Sequence, residues 1–433
     1  MSVTTAAPAN LSHSDFLHDR LAFLLRCAET ADAVHFRLGP DDVLVISRPE
    51  LARDVLLTHR ADFSKDYLSS LMHPLLAGSL LLADSDSWLH QRRLVLPAFH
   101  RERLDEYAVV MAQEAQRVSA GWTTPQRRDV HADMLQMTLH IVTRTLFGID
   151  FSSGVHAAQR LVTNVMDEFN RRMASSRRMP FALPTPRTLR LLRSMKELDR
   201  IAYHAIRERR TKPTTDLMSM LVAARDEQGM PMSDREVRDA CLAVFFAGHE
   251  TTACLLSWTC HMLATRPDIQ DRMRDELARL DDPSTARPSI LPYTDAVLLE
   301  VLRLYPPAYA FGRRAVRDTT VGDRMVPAGT VVLMSPWAMH RDPRFFEDPE
   351  QFVPERWQDG LASRLPRFAF FPFSSGPRRC VGSAYATMEA MVALAVILPR
   401  FGFSPNGAPA AAAPSITLRP AGGMHLTVTP RQR

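Results

Sequence analysis

Phe373-Ser-Ser-Gly376-Pro-Arg378-Arg-Cys380-Val-Gly382 decides how this chain of 433 residues is read. One cysteine is framed by two glycines and preceded by two arginines. A thiol becomes a useful ligand only as the anion, which nearby backbone N–H groups and positive charge favour. Glycine lets backbone approach a large partner with no Cβ in the way. The plain alternative is a buried structural cysteine in a turn. The five cysteines, at 27, 241, 254, 260 and 380, are an odd and scattered set with no C-x-x-C pair. That pattern implies neither a disulfide framework nor a zinc site.

Upstream, the apolar stretch from Ser233 to Thr265 predicts one long buried helix. Ser233-Asp-Arg-Glu236 is a capping box at its start, and Arg266-Pro267 ends it. Inside it lies Ala247-Gly248-His249-Glu250-Thr251-Thr252. Helical spacing puts Val244, Ala247, Gly248, Thr251 and Leu255 on one face. A mid-helix glycine costs about 1 kcal/mol relative to alanine, so Gly248 asks for a reason. A packing glycine beside back-bonding threonines is the bland one.

Four further patterns stand in order. Trp88-Leu-His-Gln-Arg92 separates an indole and a guanidinium by one helical turn. Glu300-Val-Leu-Arg303 sets an acid and a base three apart, where helical neighbours pair. Gly312-Arg313-Arg314-Ala315 and Pro354-Glu-Arg356-Trp357 follow.

Taken together, these stretches resemble the cytochrome P450 family over nearly the whole chain, in the family's order. The resemblance implies a mainly α fold with small β-sheets, with haem between the long central helix and the helix after the cysteine loop. It implies that Cys380 ligates the iron of haem b. Trp88, Arg92, Ala247, Gly248, Arg313, Phe373, Gly376, Arg378 and Gly382 would surround the cofactor, with Arg314 an alternative to Arg313. Gly376 and Gly382 would make room for the macrocycle. Thr251 and Glu250 would manage proton delivery, in the hollow left by Ala247 and Gly248. Glu300, Arg303 and Arg356 would form a structural triad. The substrate pocket would include Leu71, Leu75, Val244, Phe245, Tyr309 and Phe311, with the Gly422-Gly423 turn. The implied reaction is insertion of one oxygen atom from dioxygen into a lipophilic small molecule, with a terpenoid or polyketide pathway as the default. A peroxide-using enzyme or isomerase, and a non-catalytic haem sensor, are the other readings.

Composition agrees with a soluble globular enzyme: 46% of residues are hydrophobic and the net charge is +5. That small excess gives no reason to expect nucleic-acid binding. No run of about 18 apolar residues suggests a membrane span, and the first ten residues lack a secretory signal. The expectation is one cytoplasmic domain, 1–433, with a tail over about 1–20, acting as a monomer. Separate redox proteins, a ferredoxin or flavodoxin with its reductase, would supply electrons. Arg92, Arg93, Arg378 and Arg379 would offer them a basic patch.

Short β regions are expected at 33–47, 318–334 and 415–429, the last turning at Ala421-Gly-Gly423, and 405–414 reads as a surface loop. An apolar helix is expected over 383–398. Finally, 171–193 carries Arg171, Arg172, Arg177, Arg178, Arg187, Arg190 and Arg193 and no acid. It reads as a solvated basic face, or as a guide for an anionic substrate, a carrier-tethered acyl chain or a membrane surface.

Overall fold

The structure, a computed structural model, describes residues 11–65, 76, 78–83, 85–148, 155–174, 185–225 and 229–431. Its axis is the helix Asp234–Thr265. Ser233 caps it as a capping box: Ser233 N–H donates to Glu236 Oε2 (2.8 Å) and Glu236 N–H donates to Ser233 Oγ (3.3 Å). Pro267, which opens the next helix, follows the end of the run. At about 1.5 Å per residue the helix spans about 48 Å. It is the one helix among the described residues long and apolar enough to cross a membrane, and 83% of its apolar window is buried. Both facts suit the core helix of a folded domain.

Helices Arg101–Ser119, Val130–Phe147, Pro186–Thr211 and Ser383–Ile397 surround this axis. Their apolar faces, with Trp122, Trp258 and Phe169 fully buried, form one large helical core. A second layer is a five-stranded sheet ordered β1-β2-β8-β5-β3: β1 Ala33–Leu38, β2 Asp41–Ile46, β3 Phe63–Lys65, β5 Phe311–Ala315 and β8 Val331–Met334. β2 and β8 run parallel and the other pairs antiparallel. β4 (Gln126–Asp129), β12 (His425–Pro430) and β9 (Phe401–Pro405) form a second sheet. Two hairpin-sized sheets complete the set: β6 (Thr319–Val321) with β7 (Arg324–Val326), and β10 (Ala412–Pro414) with β11 (Leu418–Pro420).

Two expectations are corrected here. Residues 11–20 are no tail: Leu11, Phe16 and Arg20 are buried, and Arg20 Nη1 donates to Pro414 O (3.2 Å). Phe16 packs ring to ring on Phe23 and on Phe36 of β1, so burial of this aromatic anchors the segment. The 415–429 region is not one hairpin either. Its two strands pair away from each other, β11 with β10 and β12 with β4 and β9. Gly422 and Gly423, at φ +69° and +91°, turn the chain from one sheet to the other.

Candidate active site

A cavity of about 880 Å³ lies between the central helix and the cysteine loop. Cys380 reaches it, as do Trp88, Arg92, Arg313, Phe373, Arg378 and Gly382. Of the five free cysteines, the other four are buried in the core. Burial pushes Cys241 and Cys254 far above the usual thiol range and Cys27 and Cys260 up to about 12, and those thiols stay protonated. Cys380 is open to the cavity but walled by protein on its other sides. That enclosure raises its pKa, while the Gly382 N–H, Arg92 and Arg379 act to lower it. A metal ion bound there would deprotonate it outright.

The loop is held by its own backbone: Cys380 N–H donates to Phe373 O (3.0 Å) and Arg379 N–H to Gly376 O (3.1 Å). Gly376 has φ +71°, and a Cβ there would run into the Leu56 carbonyl. Gly376 is not a wall of the cavity. Its glycine is therefore required by the turn and by the Leu56 backbone, not by a macrocycle. Gly382 does line the cavity, but a Cβ there would meet Phe99 and the Cys380 sulfur at ordinary contact, 3.6 and 4.0 Å.

Three guanidinium groups share this end. Arg92 and Arg378 flank the Trp88 ring, 5.7 and 4.6 Å from its centroid. Arg92 donates to Arg379 O (2.9 Å) and Arg378 to Ala83 O (2.8 Å). Arg313 is buried on the cavity wall. Alternation along β5 puts Phe311 and Arg313 on that face. Arg314 points the other way, to Asp41 (3.0 Å). One thiol facing a cavity with three arginines fits an iron porphyrin with two propionates. Arg92, in particular, has no carboxylate partner among the described residues.

Across the cavity stands the central helix. Ala243, Val244, Phe246, Ala247, Gly248, Glu250, Thr251, Thr252 and Leu255 border it. Phe245 does not. It lies one 100° step away, against Phe147, Phe246 and the His249 ring, so Phe246 takes the position assigned to it from sequence. Thr251 Oγ1 donates to Ala247 O (2.7 Å) and Thr252 Oγ1 to Gly248 O (3.2 Å). Glu250 is buried and accepts from Thr417 Oγ1 (2.8 Å), with Arg419 Nη2 3.4 Å away. Its Oε2 has no hydrogen-bond partner.

The remaining walls are mainly apolar, with His13, Arg20, Asp41, Lys65 and Arg172 among the exceptions. Leu80, Leu81, Leu82, Met166, Phe169, Ala308, Tyr309, Phe311 and Ile416 contribute. Leu71 and Leu75 lie outside the described residues. Ser415, Ile416 and Thr417 line the cavity rather than the Gly422-Gly423 turn. Asp129 packs where a Gly423 Cβ would be.

Behind the cysteine loop, Glu300 and Arg303 have no exposed surface. Arg303 donates to both Glu300 oxygens, 2.9 and 2.8 Å. Glu300 also accepts from Arg356 Nε (3.1 Å), Trp357 Nε1 (2.8 Å) and Val353 N–H (3.0 Å). Arg303 Nη1 donates to His340 O (3.1 Å), and His340 Nε2 accepts from Phe371 N–H (3.0 Å). His340 thus links the ion-pair cluster to the start of the cysteine loop. Burial lowers its pKa to about 3, with Arg303 and Arg341 acting the same way, and it is neutral.

Sequence reasoning missed His340, Arg419, Thr417 and Glu389. Glu389 follows Cys380 by nine residues and is buried beside Thr252, with burial raising its pKa well above the usual carboxylate range. Its place in an apolar helix, one acid among alanines and valines, was the available signal. Nothing local marks His340 or Arg419.

The sequence profile of the family described as Cytochrome P450 matches residues 12–426. Cyclooctatin synthase of Streptomyces melanosporofaciens is 32% identical over 95% of this chain and 90% of that protein. Cyclooctat-9-en-7-ol 5-monooxygenase of the same organism is 34% identical over 93% and 90%. Pentalenene oxygenase of Streptomyces avermitilis is 31% identical over 88% and 86%. The retinoic acid-bound cyanobacterial CYP120A1 superposes with a TM-score of 0.84 at 25% identity, over 92% of both chains. With a thiol, an arginine-lined cradle and a glycine-hollowed helix meeting at one cavity, the chain belongs to the cytochrome P450 family and is a haem-thiolate monooxygenase.

Proposed function

We propose that this enzyme oxygenates a terpenoid of a secondary-metabolite pathway, hydroxylating or epoxidising an unactivated position. The observation that carries this reading is the cavity. Its thiol gathers with Arg92, Arg313 and Arg378, and the rest of its lining is mainly apolar, with His13, Arg20, Asp41, Lys65 and Arg172 as polar exceptions. Such walls hold a substrate by the area they remove from water, about 25 cal/mol per Å². The names of three relatives, two from the cyclooctatin series and pentalenene oxygenase, support the terpenoid class.

In this reading Cys380 is the axial ligand, and Arg92, Arg313 and Arg378 hold the propionates. Trp88 keeps Arg92 and Arg378 in place by stacking. Haem supplies the activation of dioxygen, one atom going to substrate and the other to water. The chain supplies protons and dryness. Thr251 holds its hydroxyl at the cavity by back-bonding to Ala247 O. Glu250, with one oxygen bound by Thr417 and the other without a partner, is placed to exchange a proton along that edge. Electrons come from a separate ferredoxin or flavodoxin. Arg93 and Arg379 are exposed beside the cysteine loop and suit an acidic partner, Arg379 also bordering the cavity as Arg92 and Arg378 do.

The test is a spectral titration of the haem-loaded protein with cyclic terpene hydrocarbons, terpene alcohols, polyketides and fatty acids. Turnover with a ferredoxin and its reductase would follow. A low-spin to high-spin shift and an oxygenated product confined to terpenoids is expected. Tight binding and turnover of fatty acids alone would overturn the substrate class.

A further inference from the structure

We propose that the outer face of the Pro186–Thr211 helix docks the enzyme on an anionic lipid bilayer. The first three turns of this helix expose Arg187, Arg190, Arg193 and Lys196. Interleaved with them, Leu189 and Leu192 are 39% and 44% exposed. Residues three and four apart are neighbours on a helix. Leu189 therefore adjoins Leu192 and Arg193, and Leu192 adjoins Lys196. The result is one patch of leucine set among cations.

The charge on this patch is not neutralised. None of the four cations pairs with a carboxylate among the described residues. Their neighbours do: Arg171 and Arg172 bind Glu168, Arg200 binds Glu197, and Arg210 binds Asp234. Several other cations on these helices are thus matched with acids, though the exposed Arg160 and Arg207 are not. On this face they are left over, and apolar side chains stand between them.

That combination is what a lipid interface takes. Leucine side chains enter the acyl boundary, arginine stems lie along it, and guanidinium groups reach phosphate oxygens. A depression beside the patch, lined by Leu161, Leu189, Arg190, Arg193 and Glu197, offers an apolar wall and two guanidinium groups at one place, the Glu197 carboxylate being held by Arg200. The inner face of the same helix carries Thr188, Leu191, Ser194 and Met195. It packs on the helix Val155–Ala174, whose Met166 and Phe169 line the active-site cavity. The docked face is thus one helix away from the cavity, and a water-insoluble substrate would have a short path from bilayer to site. This purpose rests on the lipophilic-substrate reading; the docking itself does not.

The holoenzyme is floated with vesicles of phosphatidylcholine alone, or with phosphatidylglycerol added, at low and high salt. Binding is expected only to the anionic vesicles, and it should weaken with salt, because exposed charges are screened beyond about 8 Å at physiological ionic strength. Each basic residue near an anionic surface is worth about fivefold in partitioning. Arg190→Glu with Arg193→Glu should therefore cut binding more than tenfold, with the carbon-monoxide spectrum unchanged. Leu189→Ser with Leu192→Ser should cut it several-fold at low salt. No binding to anionic vesicles, or equal binding by all variants, overturns the proposal. So does wild-type protein that ignores vesicles but binds an acidic acyl carrier protein through the same arginines. A terpene-induced spin shift without vesicle binding removes the docking alone; vesicle binding without any such shift removes the substrate class alone.

Discussion

The two sides of the cavity treat buried polar groups in opposite ways. Behind the cysteine loop the Glu300–Arg303 ion-pair cluster is fully answered, although His340 Nδ1 and Ser374 Oγ are not. Glu300 accepts five hydrogen bonds, and Arg303 reaches three main-chain carbonyls beside it. Across the cavity, Glu250 Oε2, His249 Nδ1, and Arg419 Nε and Nη2 are buried with no hydrogen-bond partner. An orphaned buried polar group costs about 1–3 kcal/mol, more if charged. A fold keeps such groups where water, protons or ligand complete them. The cysteine side is thus built to stay still, and the helix side to exchange.

The comparison breaks first at its rigid end. Cys380→Ala should abolish the red-shifted Soret band of the reduced carbon-monoxide complex, while changes at Cys27, Cys241, Cys254 or Cys260 should leave it. A normal band from Cys380→Ala would remove the ligand assignment.

Next in size is the ion-pair cluster. Removing one partner of a buried pair typically costs about 3–5 kcal/mol. Glu300→Ala should yield little haem-loaded protein. Arg356→Ala should cost less, because Arg356 is partly exposed and makes one bond to Glu300. Equal yields of both variants and wild type, measured as haem per protein, would show that saturation does not mean rigidity.

At the other side, Thr251→Ala and Glu250→Gln should fold and load haem normally. Product per reductant should fall about tenfold or more, within the range of lost proton-transfer assistance, and peroxide should rise. Arg419→Leu sharpens the point. It removes the cation beside Glu250 and should shift the pH dependence of coupling while leaving haem content alone. Unchanged coupling in all three would sink the exchange role.

The smallest effect concerns acid stability. Burial holds His131 and His249 down to about 4, and His340 to about 3. These bases are neutral when folded, and the unfolded chain takes up their protons first. The stability they carry is complete above about pH 6.5 and is lost as pH falls toward the folded values. Each should cost about 1 kcal/mol by pH 5.5. Thermal unfolding from pH 7.5 to 5 should show the decline, and His249→Phe should flatten it. An identical slope would place the acid lability elsewhere.

Much of this was legible in the residues. The long helix with its capping box, the helix after the cysteine and the hairpin at 33–47 follow from local periodicity and capping. So does the neighbouring of Glu300 and Arg303. Local signals could not say which of Phe245 and Phe246 meets the cavity. That depends on the rotation of a helix buried on most sides, set by its packing against Val130–Phe147. The reason for Gly376 was also misplaced: its φ and the approach of Leu56 come from a segment more than three hundred residues away in sequence.

Sequence by itself determined the chemistry: one cysteine in a glycine–arginine frame, an acid and a threonine in a helix, and an acid–arginine pair. Each lies within ten residues of chain, where covalent geometry and helical repeat set the neighbours. Only tertiary structure decided who completes them. His340 reaches Phe371, Thr417 and Arg419 reach Glu250, and Arg20 reaches Pro414, across 31 to 394 residues. Such partners are chosen by the packing of distant elements into one core, and no local pattern encodes them.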